Sequence, residues 1–326
     1  MADLTTRYMG LALKNPIIIG SCGLTNSTGG IKKLEENGAA AVVLKSIFEE
    51  QISMECSSME TDRLPHTEES DYIKYYTRKH NLDEYLKLIK DTKKEVSIPV
   101  IASINCVSSS EWTSFAKRIE DSGADALELN MFIMPGDPRQ KGEDIEQIYF
   151  RVIEAVRKQV SLPLALKISS YFSGLANMIF NLSVRKIDAI VLFNRFYRPD
   201  INLDTMEIVS DHVFSSPEEN FLPLRWIGMT SGEVKCDLAA STGIHDGYQV
   251  IKNLLAGAKA VQVASVIYQK DARYINVMLD QINRWMDEHK YSSLQKIIGK
   301  LSQDKIKNPV LYERAQFMKY FSDAVE

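Results

Sequence analysis

Two lysines and three asparagines fall near the ends of short apolar runs, and that placement is the chain's first chemical signal. In PLALKIS, from Pro163, Leu164, Leu166 and Ile168 alternate with Ala165, Lys167 and Ser169, so a strand period of two sends the aliphatics to one face and Lys167 to the other. The same parity turns Glu128 and Asn130 inward from ADALELN, Ser103 and Asn105 from PVIASIN, Asn194 from DAIVLFN and Lys45 from AAVVLKS. A desolvated ammonium is costly unless it meets an anion or an electron-rich partner. Glu128 is the obvious carboxylate for Lys167, and an ion pair between them would leave Lys45 and the asparagines without a purpose. A bound anionic or electron-rich small molecule explains more of the set.

The elements that would position these residues recur regularly. Eight β-branched or apolar runs start at Pro16, Ala40, Pro99, Ala124, Pro163, Asp188, Asp237 and Ala260, with helical patterns between them. Eight such units without a linker or a shift in composition predict an α/β fold, a (β/α)8 TIM barrel, rather than a doubly wound sheet. The long intervals follow strands 2, 4 and 6 and lie at residues 47–80, 131–142 and 195–222, all on the C-terminal face where barrels carry their sites. Strand 7 ends in Ser241-Thr242-Gly243 and strand 8 in Ala264-Ser265. Turns at these two places are where barrels commonly hold a phosphate on backbone N–H groups. Phosphate and lysines together suggest a phosphorylated cofactor.

These residues, in this order at strand ends, resemble the dihydroorotate dehydrogenase family of FMN-containing barrels. The resemblance spans nearly the whole chain and is carried by NPIIIGSCG, VLKS at Lys45, ELN at Asn130, LKIS at Lys167, the strand end at Asn194, STGI from Ser241 and QVAS from Gln262. It implies an FMN-dependent oxidoreductase, nominally oxidising dihydroorotate to orotate in pyrimidine biosynthesis. Ser21, Cys22 and Gly23 would lie along the flavin edge, with Lys45 beside it. Asn130, Lys167 and Asn194 would surround the ring, and Thr242, Gly243, Ala264 and Ser265 would hold the phosphate. Ser46 and Asn105 complete the implied cofactor set, and Lys45, Asn130 and Asn194 the catalytic one. A cation at Lys167 would stabilise negative charge arriving on the reduced flavin.

The departures are as informative. Where the family has Cys or Ser as the base after strand 4, this chain has Ile133, which cannot accept a proton. The next family asparagine aligns with Pro135, and the family's substrate segment after strand 2 has no counterpart between Ile47 and Asn81. Slow dihydroorotate turnover is therefore expected unless Cys22, Cys106 or the loop after strand 2 supplies a substitute base. Two alternatives stand beside this reading: a class I aldolase using Lys167 as a Schiff base, and a non-catalytic flavin-binding subunit.

Composition sets the frame. The chain has 326 residues, 45% apolar and 25% charged, with a formal net charge of -4, which provides no footprint for nucleic acid or an anionic membrane. No apolar run approaches the length of a membrane span. Cys22, Cys56, Cys106 and Cys236 form no CxxC pair, the five histidines show no metal-ligand spacing, and no metal is expected. The expected protein is one cytoplasmic FMN-binding barrel domain over 1–326, with a C-terminal helical extension from about residue 291. Its expected partners are a small-molecule substrate and either a second copy or an electron-transfer subunit.

Overall fold

The computed structural model describes residues 2–48, 68–105, 109–210 and 212–314. Cys56, His66, Cys106 and most of the loop expected after strand 2 lie outside them. The barrel strands are β1 (Ile17–Ile19), β2 (Ala41–Val43), β3 (Val100–Asn105), β4 (Ala126–Asn130), β5 (Leu164–Ile168), β6 (Ala189–Leu192), β7 (Asp237–Ser241) and β8 (Ala260–Val263). Each pairs in parallel with its sequence neighbour, and β8 pairs with β1, so the sheet closes. This is the expected (β/α)8 barrel, with every expected strand present. The outer layer is α1 (Thr28–Glu36), α2 (Glu68–Glu95), α3 (Ser109–Asp121), α4 (Gly142–Arg157), α5 (Leu175–Ser183), α6 (Phe221–Thr230), α7 (Gly247–Ala256) and α8 (Tyr274–Glu288).

Each helix docks through an apolar stripe. In α4, Ile145, Tyr149, Val152, Ile153 and Val156 recur at three- and four-residue spacing and are buried against the sheet. Local chemistry fixes the starts: Ser27 accepts a hydrogen bond from Gly30 N at the head of α1, and Asp246 from Gln249 N at the head of α7.

Strand alternation divides the lumen into layers. Ile18, Ala41, Val43, Ile101, Ala126, Ala165, Ala189, Val191, Ala239 and Ala260 form an inner apolar cluster, separate from the larger one between sheet and helices. A hairpin of Thr6–Tyr8 and Leu11–Leu13 plugs the floor of that cluster with buried Tyr8, Met9 and Leu13. Its two-residue turn puts Met9 at φ 55° and Gly10 at φ 77°, the left-handed pair that tight hairpins require. Met9 N donates to Asp237 Oδ2 at 2.9 Å and pins the plug to the foot of β7.

Two elements differ from the sequence reading. Helix α2 starts at Glu68, not near Asn81; the charged stretch from Glu68 to His80 has one aliphatic residue, Ile73, and so shows no apolar period. The loop after β6 also contains an antiparallel hairpin, Pro199–Asn202 with Glu207–Ser210, that the pattern did not reveal. Beyond Tyr291 the described chain runs through a 3-10 turn at Leu294–Lys296 and a short helix at Val310–Glu313.

Candidate active site

Two residues above the apolar layer, the same strands become polar. Ala126 is followed inward by Glu128 and Asn130, Ala165 by Lys167, Ile101 by Ser103, Ala239 by Ser241 and Ala260 by Gln262. A cavity of about 220 Å³ opens there at the C-terminal ends of the strands. It collects Ser21, Asn130, Lys167, Asn194, Thr242, Gly243, Ala264 and Ser265 from the expected set.

Lys167 Nζ donates to Gln262 Oε1 at 2.8 Å, and Gln262 Nε2 donates to Glu128 Oε2 at 2.5 Å. In place of a direct Lys167–Glu128 ion pair there is a three-residue chain with an amide in the middle. Burial pulls the Lys167 ammonium below its ordinary value, with Glu128 opposing the shift. Burial likewise pushes the Glu128 carboxyl up, against Lys167 and Gln262. Gln262 was legible in β8 as the sole polar residue of Ala260–Val263, but its partners were not.

Asn130 lines the cavity, and its Oδ1 is buried without a hydrogen-bond partner. Asn194 Nδ2 reaches Lys167 O at 3.3 Å and Met131 O at 3.4 Å, tying the ends of β4 and β5 together. Asn194 lines the cavity because the regular strand stops at Leu192; Ala189 and Val191 hold the inward parity of β6.

Toward β2 the polarity continues as a chain of hydroxyls. Ser21 Oγ lies 3.0 Å from Ser46 Oγ, and Ser46 Oγ lies 2.7 Å from Ser103 Oγ. β2 leaves the ladder after Val43 and pairing resumes at Ile47–Phe48. Tyr85 fills the gap, its hydroxyl accepting from Ser103 N and donating to Ser103 O. Lys45 is half-buried at this break and has no ion pair among the described residues. Asn105 ends β3, outside the residues that line the cavity.

The turns after β7 and β8 form the other wall. Thr242 and Gly243 both have positive φ, and a Cβ on Gly243 would stand 2.1 Å from Asn220 N. Ala264 precedes a short helix, Ser265–Lys270, whose first N–H groups have no partner within the helix. Ser265 Oγ accepts from Ser215 N at 3.0 Å, and Ser215 Oγ meets His245 Nε2 at 3.0 Å. Arg195, also unanticipated, holds this loop through Glu219 and the carbonyls of Val213 and Phe214.

Cys22 and Gly23 stand beside the cavity on a 3-10 turn. A Cβ on Gly23 would approach Tyr268 Oη to 2.7 Å, and burial raises the Cys22 thiol, so it is protonated near neutrality. Ile133 is half-buried; its N–H donates to Tyr149 Oη at 3.3 Å, and burial pushes that phenol up to about 12.

A closed parallel barrel with a half-buried, partly desolvated cation among amides and hydroxyls at its C-terminal mouth defines a cofactor- or substrate-binding barrel enzyme. A family model described as dihydroorotate dehydrogenase matches residues 3–286. The chain belongs to the dihydroorotate dehydrogenase family and is an oxidoreductase of that type. It is similar to proteins named dihydroorotate dehydrogenase B (NAD(+)), catalytic subunit. One, from Thermoplasma volcanium, is 25% identical over 315 residues, covering 92% of this chain and 98% of the relative. The Thermoplasma acidophilum protein is 25% identical over 307 residues (92% and 99%), and that of Pyrococcus furiosus 23% over 311 (91% and 98%). This family assignment does not favour the aldolase or a non-catalytic subunit. No helix among the described residues is long and apolar enough to cross a membrane.

Proposed function

We propose that this chain is an FMN-dependent oxidoreductase of the dihydroorotate dehydrogenase family acting on a small anionic substrate other than dihydroorotate. The observation that carries the reading is one strand-end cavity that gathers the Lys167 ammonium, held on Gln262 Oε1, with Asn130 and Asn194 and with the turns at Thr242-Gly243 and Ala264-Ser265. A flavin nucleotide fits that set, since its ring gains negative charge on reduction and its phosphate suits the N–H groups of the turns. When bound, FMN supplies a two-electron acceptor.

The chain's residues then divide the work. Lys167 holds positive charge against the ring, with Gln262 fixing the direction of its ammonium. Asn130 and Asn194 orient the reacting groups, and Lys45 with Ser21, Ser46 and Asn105 lies toward the β2 and β3 side. Thr242-Gly243 and Ala264-Ser265 take the phosphate. A proton leaving the substrate needs an acceptor. Ile133 has none, and the raised Cys22 thiol is a poor one. Loss of a general base typically removes about 10² to 10⁴-fold in rate, which disfavours dihydroorotate.

One cofactor domain spans the chain in this reading and works in the cytoplasm. The relatives' names motivate a partner subunit that takes the electrons onward. The test is the visible spectrum and phosphorus-quantified flavin of the purified protein, with about one noncovalent FMN expected per chain. Colourless protein that takes up no added FMN contradicts the proposal.

A further inference from the structure

Beside the polar cavity lies a second one, of about 550 Å³, formed by the loops after β5 and β6 and the head of α6. The two share Asn194, Arg195, Ser241 and Thr242, so the larger adjoins the site already described. Its chemistry is different. Tyr171 stacks on Phe196 with centroids 4.7 Å apart and planes at 13°, and Phe132 leans on Phe196 at 4.4 Å. Three loops, after β4, β5 and β6, therefore meet in one aromatic wall.

That wall is open to solvent. Tyr171 is 47% exposed, Tyr197 64% and Phe221 64%, and exposed rings grouped at the rim of a cavity this size mark a binding surface. Among the described residues that line it, Arg198 is the least engaged charge. Glu219 is already engaged by Arg195 Nε at 3.0 Å and by Ser216 N at 2.8 Å, whereas Arg198 Nη1 stands 4.0 Å from it. A guanidinium so weakly held keeps its planar donors available for a carboxylate.

We propose that the substrate is a planar aromatic compound bearing one carboxylate, its ring seated against Tyr171, Phe196 and Tyr197 and its anionic end at Arg198. The inference rests on the oxidoreductase reading above and names that site's substrate class. An aryl ring gains more from this wall than a small, amide-rich one, because it brings more apolar surface to bury against the rings.

The test is calorimetric titration of trans-cinnamate, a planar aryl carboxylate, and of orotate into the protein as purified and after FMN loading. Cinnamate should bind at least about tenfold more tightly than orotate, and Arg198→Gln and Phe196→Leu should each weaken it about tenfold. Tighter binding of orotate, no binding of cinnamate, or an unchanged Arg198→Gln variant overturns the inference. The two readings fail separately. Arg198-dependent cinnamate binding by protein that takes up no FMN retains the substrate class and removes the cofactor; FMN-loaded protein blind to cinnamate does the reverse.

Discussion

The floor and the mouth of the barrel lumen are built by the same strands two residues apart, yet they obey opposite rules. At the floor, alanines and branched aliphatics surround a hairpin plug, and almost every atom is apolar. At the mouth, buried Glu128, Gln262, Ser46 and Ser103 meet half-buried Lys167, Asn130 and Ser21. The floor stabilises the fold by burial; the mouth carries desolvation costs that only a ligand offsets. Small side chains below make room for the Tyr8 ring, and long polar ones above converge because the strands end there.

Variants can break this contrast, and the largest effect belongs to the floor. Tyr8→Ala should destabilise the protein by about 3–5 kcal/mol in urea unfolding, since a large buried ring leaves a cavity. Its folded fraction should take up FMN normally. Lys167→Met should act on stability and on the flavin together: it leaves Gln262 Oε1 without a donor and Glu128 without its opposing charge, costing about 1–3 kcal/mol of stability, while reduced FMN weakens about 10²-fold relative to oxidised FMN. Spectroelectrochemistry reads that as a lower midpoint potential, and an unchanged potential would deny Lys167 its role.

Smaller effects sharpen the boundary between the layers. Gln262→Leu leaves Glu128 and Lys167 without their bridge, costing about 1–3 kcal/mol of stability and lowering the potential less than Lys167→Met does. Tyr8→Phe should stabilise by about 1 kcal/mol, because the Tyr8 hydroxyl is buried without a partner. The smallest effect lies outside the lumen. Glu120, on α3, is held at about 2 by Ser161 and Lys117, so its stabilisation is fully present above the ordinary 4.5 and fades as pH falls toward 2. Glu120→Gln should flatten that acid limb of the unfolding curve without altering flavin content.

The sequence showed the barrel and most of the mouth for one reason: strand parity is local. Lys167, Glu128 and Asn130 could be turned inward from their neighbours alone. Partner choice is not local, so the bridge from Lys167 through Gln262, which lies 95 residues away, to Glu128 was not legible. Asn194 has the wrong parity, since Ala189 and Val191 are the inward positions of β6, and it reaches the site only because the strand ends at Leu192. The aromatic wall escaped because Phe132, Tyr171 and Phe196 come from three irregular loops, where no period relates sequence to space. Arg195 and the β6-loop hairpin were hidden in the same way.

The account stands on a flavin at the mouth and a substrate other than dihydroorotate, and anaerobic stopped-flow of the FMN-loaded protein tests both at once. Dithionite should bleach the flavin fully, whereas dihydroorotate should leave it oxidised over minutes, because Ile133 offers no base. Bleaching by dihydroorotate at a few per second, within the usual range of enzyme turnover, would contradict the account.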